Sequence, residues 1–212
     1  MRYPEVRRRV TAVARKAYDR GLVAATSGNY SQFDRPAGLM VITPSGLDYS
    51  LMAPEDLVVM DLAGNVVEGD LPPSSEWRLH ARLYRAREDI GAVAHTHSPY
   101  ATAFATLDRP IPNLLIELQM FCGGAVNVAP FALPGSEELG EGAARTIGDR
   151  KAVLLSHHGT VAVGDTVEDA LKVAFWVEDT ARIAHLALTI GQPKELEEVS
   201  RDLGGQRLPA EY

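Results

Sequence analysis

The chain has 212 residues, 46% of them hydrophobic and 23% charged. A chain of this length buries a full core, on the order of 70% of its unfolded surface, and its composition excludes a disordered segment, a coiled-coil rod and a disulfide scaffold. The net charge of −7 argues against a nucleic-acid surface, no run of ~20 apolar residues offers a membrane span, and the single cysteine, Cys122, points to a reducing cytoplasm.

The opening segment MRYPEVRRRVTAVARK has no apolar core and no cleavage site, so no secretory leader is expected. Its basic run Arg7, Arg8 and Arg9 reads as a solvated or subunit-facing side of a helix. That helix spans residues 4–20: Pro4 stands near its start, Val6, Val10, Val13 and Ala17 share a face, and Gly21 stops it. Residues 29–33 and 39–43 read as strands around a turn at Asp34 to Gly38, and residues 57–61 and 65–68 as a hairpin through Ala63-Gly64-Asn65. After Pro72-Pro73 a helix opens with Ser74 or Ser75 as its N-cap. A strand at 91–97, a helix at 98–107, a strand at 126–130, a helix at 136–148, strands at 152–156 and 160–164 and a long helix at 166–190 follow. The tail from Gly191 is polar and reads as mobile or as a wrap around a neighbour. With no repeat, low-complexity tract or linker, residues 1–212 read as a single domain. Mixed strands and helices, with several hairpins, predict α/β layers around a sheet that contains antiparallel pairs.

Chemistry concentrates at strand ends. His95-Thr96-His97 closes one strand, and the alternation of side chains puts His95 and His97 on the same face, where they can share a metal ion. His157-His158 follows another strand; adjacent residues point apart, so only one of the two can join that ion. Three histidines leave a position open for a carboxylate or water. Glu76, in the first turn of the helix after Ser74-Ser75, is a candidate for it, although a carboxylate there also suits the helix dipole. Glu117, set in the apolar run IPNLLIELQMFCGG, is a second unusual carboxylate and a candidate acid or base. His80 lies four residues after Glu76 on the same helix face and reads as structural or supporting. Three segments have the make-up of anion grips: Thr26-Ser27-Gly28-Asn29, Thr43-Pro44-Ser45-Gly46, and Ser74-Ser75 at a helix start.

Taken jointly, ATSGNYS, ITPSGLDY, LPPSSEW, VAHTHSPYATAFA, the Pro-Gly-Ser-x-Glu-Leu segment at 134–139 and LLSHHG resemble the class II aldolase and adducin family, from about residue 4 to about 190. Within it they stand nearest the aldolases of L-fuculose 1-phosphate. The resemblance implies a three-layer α/β/α sandwich with a central, largely antiparallel sheet. It also implies a homotetramer with active sites between subunits. By motif, it implies zinc on His95, His97, His158 and Glu76, with Mn2+ or Co2+ as other candidate ions. It implies phosphate held by Gly28, Asn29, Ser45, Gly46, Ser74 and Ser75, and Glu76 as the acid/base.

The implied reaction is cleavage of a ketose 1-phosphate such as L-fuculose 1-phosphate to dihydroxyacetone phosphate and an aldehyde such as lactaldehyde, the ion polarising the carbonyl. A Schiff-base route is disfavoured, because Lys16, Lys151, Lys172 and Lys194 are the only lysines and three of them sit at helix or tail positions that read as solvated. The chain departs from the resembled aldolases in two places. Where they carry a tyrosine ahead of Gly123-Gly124, the nearest residue here is Glu117, and the only tail tyrosine is Tyr212. The family also contains 4-epimerases of pentulose 5-phosphates, decarboxylases of 3-oxo-tetronate 4-phosphates and methylthioribulose-phosphate dehydratases. The dehydratases use a glutamate near position 117 but lack the SSEW glutamate kept here. Adducin head domains, which are interaction modules without catalysis, are the alternative of another class.

Overall fold

The computed structural model describes residues 1–197, so Tyr212 and most of the expected tail lie outside the described residues. Helix α1 (Pro4–Asp19) starts on Pro4 and buries Val10, Val13, Ala14 and Ala17. Arg7 departs from the expected solvated side: it is 1% exposed, its guanidinium donating to the carbonyls of Arg2 at 2.9 Å and Leu57 at 2.5 Å and pairing with Glu68 at 2.9 Å. A buried guanidinium is tolerated because its donors are met in this way. Strands β1 (Asn29–Asp34) and β2 (Leu39–Ile42) form the first hairpin, and β3 (Val58–Asp61) and β4 (Val66–Glu68) the second. Helix α2 (Trp77–Ala86), β5 (Ala92–Thr96), α3 (Pro99–Thr106), α4 (Ile116–Cys122), β6 (Val128–Ala129), α5 (Glu137–Ile147), β7 (Ala152–Leu155), β8 (Gly159–Gly164) and α6 (Val167–Ile190) follow.

The expected elements occur close to their expected bounds, with three differences. Helix α4 has no counterpart among the expected elements. It lies in a run so apolar that no periodicity separates helix from strand, and Gly123, at φ 92°, closes it by donating to the carbonyls of Leu118 and Gln119. The strand expected at 126–130 joins the sheet only over Val128–Ala129, while Val126 forms a separate antiparallel bridge with Ile111. Helix α2 starts later than its serines, because Pro73 bridges Pro44 and holds the segment extended; Glu76 is the N-cap.

The eight strands form one sheet in the order β4-β3-β2-β1-β5-β8-β7-β6. It is mixed: β6 runs parallel to β7, and the other pairings are antiparallel. The largely antiparallel sheet that the family resemblance implied is therefore corrected to a mixed one, because the short β6 enters beside β7 in the same direction. Alternate strand residues supply two apolar cores. Tyr30, Val41, Val59, Ala92 and Ala94 pack with α1, α3, α4 and α6; Met40, Ile42, Met60, Val93, Val161 and Val163 pack with α2 and α5. Among the described residues no helix is long and apolar enough to cross a membrane.

Helix α5 begins on Ser136, whose hydroxyl accepts the Leu139 N–H at 3.2 Å. Replacing Ser136 by Ala removes that cap, and we expect a loss of about 1 kcal/mol, read as a lower urea midpoint at unchanged slope.

Topology positions the chemistry. β1 and β8 both run antiparallel to β5, with Asn29 opposite His95 and Thr160 opposite Thr96. The starts of β1 and β8 therefore meet the end of β5 at one end of the sheet. The end of β2 lies there too, and the Pro44–Pro73 bridge draws in the segment ahead of α2.

Candidate active site

His95 and His97 share a face at the end of β5, and His158 immediately precedes β8, so the antiparallel pairing alone brings the three imidazoles together. Their ring centroids lie 4.8, 4.8 and 4.9 Å apart. Glu76 enters from the N-terminus of α2. One carboxylate oxygen, Oε2, stands 3.2 Å from His95 Nε2, and the other, Oε1, 3.4 Å from His158 Nε2. His97 Nε2 lies 3.0 Å from His95 Nε2. One ligand atom from each of these four residues falls within 4.8 Å of every other.

These residues fit a metal ion on three grounds. Nitrogen and oxygen ligands around a tetrahedral zinc ion sit about 3.3 Å from one another, close to the contacts just given. Glu76 Oε1 is buried with no hydrogen-bond partner, as a vacant ligand oxygen would be. His95 is fully buried and its Nδ1 donates to the Thr160 carbonyl at 3.0 Å, which leaves the Nε2 lone pair facing the cluster. Charge states agree. Burial and the neighbouring His95 push His97 down to about 3 and His158 down to about 4, so both are neutral at neutral pH. Burial on its own would raise the Glu76 carboxyl; His95, His158 and the Asn29 amide outweigh it and hold that group well below the usual carboxylate range.

A cleft of about 360 Å³ opens beside the cluster. Gly28, Asn29, Ser45, Gly46, Ser74 and Ser75 all line it, together with Glu76, His97 and His158. No lysine or arginine is among the described residues lining it, so an anion there would be held by hydroxyls and backbone N–H groups. The Tyr49 hydroxyl donates to the Gly28 carbonyl at 2.6 Å and steadies the first loop. Gly28 sits at φ +79°, and a Cβ there would lie 2.7 Å from the His95 carbonyl oxygen. Gly159 is equally constrained, since a Cβ would stand 2.4 Å from the Thr96 carbonyl oxygen and 3.2 Å from the His97 ring. We expect Gly159→Ala to cost about 1–3 kcal/mol by overpacking and to lower metal content, checked by thermal melting and elemental analysis.

Other sequence candidates fall elsewhere. His157, at φ 54°, turns away and packs edge-on against Phe131 in a separate hollow with Asp108 and Ser156. Glu117 lies half-buried in the first turn of α4 and is not among the described residues of the cluster or the cleft. His80 is fully buried and reaches the site through Asn29. Sequence reasoning did not place Pro134 in the site; the loop before α5 carries it into the cleft lining, with Gly135 against the Ser75 carbonyl. The Pro134-Gly135 dipeptide, which marks a turn, was the available signal, and Gly135 takes the positive φ of such a turn.

Comparison with known proteins gives the same family from every side. Residues 8–185 match the model of the class II aldolase and adducin N-terminal domain. The chain is 42% identical over 192 residues to a 5-deoxy-D-ribulose 1-phosphate aldolase of Bacillus thuringiensis serovar kurstaki, covering 91% of this chain and 90% of that one. It is 39% identical to a 5-methylthioribulose-1-phosphate/5-deoxyribulose-1-phosphate aldolase of Rhodospirillum rubrum, over 86% of this chain and 81% of that one. Among solved structures, an L-fuculose 1-phosphate aldolase superimposes with a TM-score of 0.88 at 40% identity, covering 92% of this chain and 91% of the other. With its three imidazoles, carboxylate and hydroxyl-lined cleft at one end of the sheet, the chain belongs to the class II aldolase and adducin family.

Proposed function

We propose that this protein is a metal-dependent aldolase that reversibly cleaves a deoxyketose 1-phosphate to dihydroxyacetone phosphate and a short aldehyde. The observation that carries the reading is the convergence of His95, His97, His158 and Glu76 on the cleft lined by all three anion grips. An adducin-like module without catalysis would need neither. We read the fold as a single-domain three-layer sandwich and the ion as zinc, with Mn2+ or Co2+ as substitutes, in a cytoplasmic protein.

A divalent ion in this cluster would supply Lewis acidity toward the carbonyl and hydroxyl oxygens of the substrate. The chain's own residues do the rest. Gly28, Asn29, Ser45, Gly46, Ser74 and Ser75 hold the phosphate with neutral donors and so set the register of the sugar along the cleft. In cleavage the bond between the third and fourth carbons breaks, the fourth-carbon hydroxyl loses its proton, and the third carbon gains one. Glu76, ionised and buried beside the cluster, moves the proton at the third carbon.

The substrate reading leans on the relatives. Two act, by name, on 5-deoxyribulose 1-phosphate, and that sugar would release acetaldehyde here; L-fuculose 1-phosphate, which would release lactaldehyde, is the second reading, supported by the structural relative. Both sugars end in a carbon without a hydroxyl group. We further read the assembly as a homotetramer with sites between subunits. Phe131 and Leu133 lie exposed on the loop that reaches the cleft, and Glu117, flanked by exposed Ile116 and Met120, is then the candidate acid lent to a neighbour.

The test is proton exchange on dihydroxyacetone phosphate in heavy water, followed by NMR with a chelator control, then condensation with acetaldehyde and with lactaldehyde. Stereospecific loss of one hydrogen signal, abolished by chelator, is the expected result. Its absence in metal-loaded protein would turn the assignment toward the epimerase or dehydratase reactions of the family.

A further inference from the structure

Strand β1 and helix α2 meet along a row of side chains that leads from the cluster into the protein. A strand presents alternate residues on one face about 6.8 Å apart, here Asn29, Ser31 and Phe33. A helix presents every fourth residue about 6 Å apart, here Glu76, His80 and Tyr84. The two repeats nearly match, so the side chains interleave. Asn29 Nδ2 donates to Glu76 Oε2 at 2.9 Å. Asn29 Oδ1 lies 2.6 Å from His80 Nε2, and His80 Nδ1 lies 2.6 Å from Ser31 Oγ. Ser31 Oγ is 2.7 Å from the Tyr84 hydroxyl, and the Tyr84 ring stacks on Phe33. Ser31, His80 and Tyr84 are all fully buried.

The carboxylate end dictates the direction of these bonds. An ionised carboxylate only accepts, so Asn29 must present its NH2 group to it. The amide oxygen then faces His80, whose Nε2 must carry the proton. A buried imidazole held neutral by desolvation has one proton to place. Nδ1 is therefore bare, and the Ser31 hydroxyl donates to it. Were the amide reversed, its oxygen would face Glu76 Oε2, acceptor against acceptor in a buried space, and His80 would need the opposite tautomer to accept from the NH2 group.

We propose that His80 is a positioning residue for Glu76: its Nε2–H holds the Asn29 amide in the one orientation that pins Oε2, which leaves Oε1, the carboxylate oxygen without a hydrogen-bond partner, free beside the cluster for the substrate. This rests on the assignment of Glu76 as the group that moves the proton. His80 touches neither substrate nor ligand atoms; it acts through Asn29.

Two measurements on the full-length protein test it. The first is the 15N spectrum of the imidazoles in protein without added metal, with His80 assigned by comparison with His80→Gln. A protonated Nε2 and a bare Nδ1 at neutral pH are expected; the opposite tautomer or a charged ring overturns the proposal, whatever the activity. The second compares His80→Phe with His80→Gln at saturating metal. Gln can donate to Asn29 through its amide NH2 and accept from Ser31 through its oxygen. His80→Phe should lower kcat about 10–100-fold, the range for losing a partner that orients a metal-site group, with KM within about twofold and metal content kept; His80→Gln should recover most of the loss. Equal losses in both variants, or full kcat in folded His80→Phe, overturn the proposal. Should His80→Phe fail to fold, near-wild-type kcat in His80→Gln together with the expected tautomer supports the proposal, and failure of either overturns it. Glu76→Gln separates the two readings: full activity there removes Glu76 from the mechanism and leaves the tautomer result standing.

Discussion

Replacing Glu76 by Gln should lower turnover by about 10²–10⁴-fold, the range lost when a positioned acid or base is removed, while the fold and most of the bound metal survive. Gln has nearly the same shape, so the N-cap position of α2 and the contact with Asn29 are kept. His95, His97 and His158 remain, and three imidazoles suffice for a catalytic zinc site. What disappears is the basic oxygen at the end of a carboxylate that its neighbours keep ionised. Steady-state cleavage rates, circular dichroism and elemental analysis on the same preparation check this. Wild-type-like turnover would take Glu76 out of the mechanism.

Replacing His97 by Ala should lower metal content and activity together. His97 supplies one of three converging imidazoles, and its Nε2 stands 3.0 Å from that of His95. Losing a ligand's hydrogen-bond partner alone costs about 10–100-fold, and losing the ligand itself should cost at least as much. A metal held by this cluster would bind the folded protein and not the unfolded chain, so its removal is expected to lower the melting temperature as well. Chelator should therefore shift the wild type downward and leave His97→Ala nearly unmoved. Full metal content with activity gone would instead make His97 a substrate contact, and unchanged activity would remove it from the site.

Most elements were legible because their signals are local. Pro4 and Gly21 bracket α1, and the Asp34 to Gly38 turn separates β1 from β2. Helix α4 was not legible, because a run as apolar as residues 114–122 carries no period. The late start of α2 was hidden too. Its cause is the Pro44–Pro73 bridge, a contact between segments far apart in sequence.

The sequence by itself determined the cluster's donors. Alternation put His95 and His97 on one face, the spacing of Glu76 and His80 put both on one side of α2, and the hydroxyl and glycine loops marked the segments that line the cleft. It also decided that only one of His157 and His158 could join them. Local periodicity did not say which; the family resemblance implied His158, and the tertiary structure supplies the reason, since the left-handed His157 sends its ring toward Phe131 and His158 faces the cluster. Tertiary structure alone interleaved Asn29 and Ser31 with His80 and Tyr84, because a strand repeat meets a helix repeat only when the two elements pack side by side. It placed the half-buried Glu117 on α4, apart from the described cluster residues. The physical reason is common to all three. A residue's type and local period are written along the chain, whereas its neighbours depend on which backbone segments the sheet and its cores bring together.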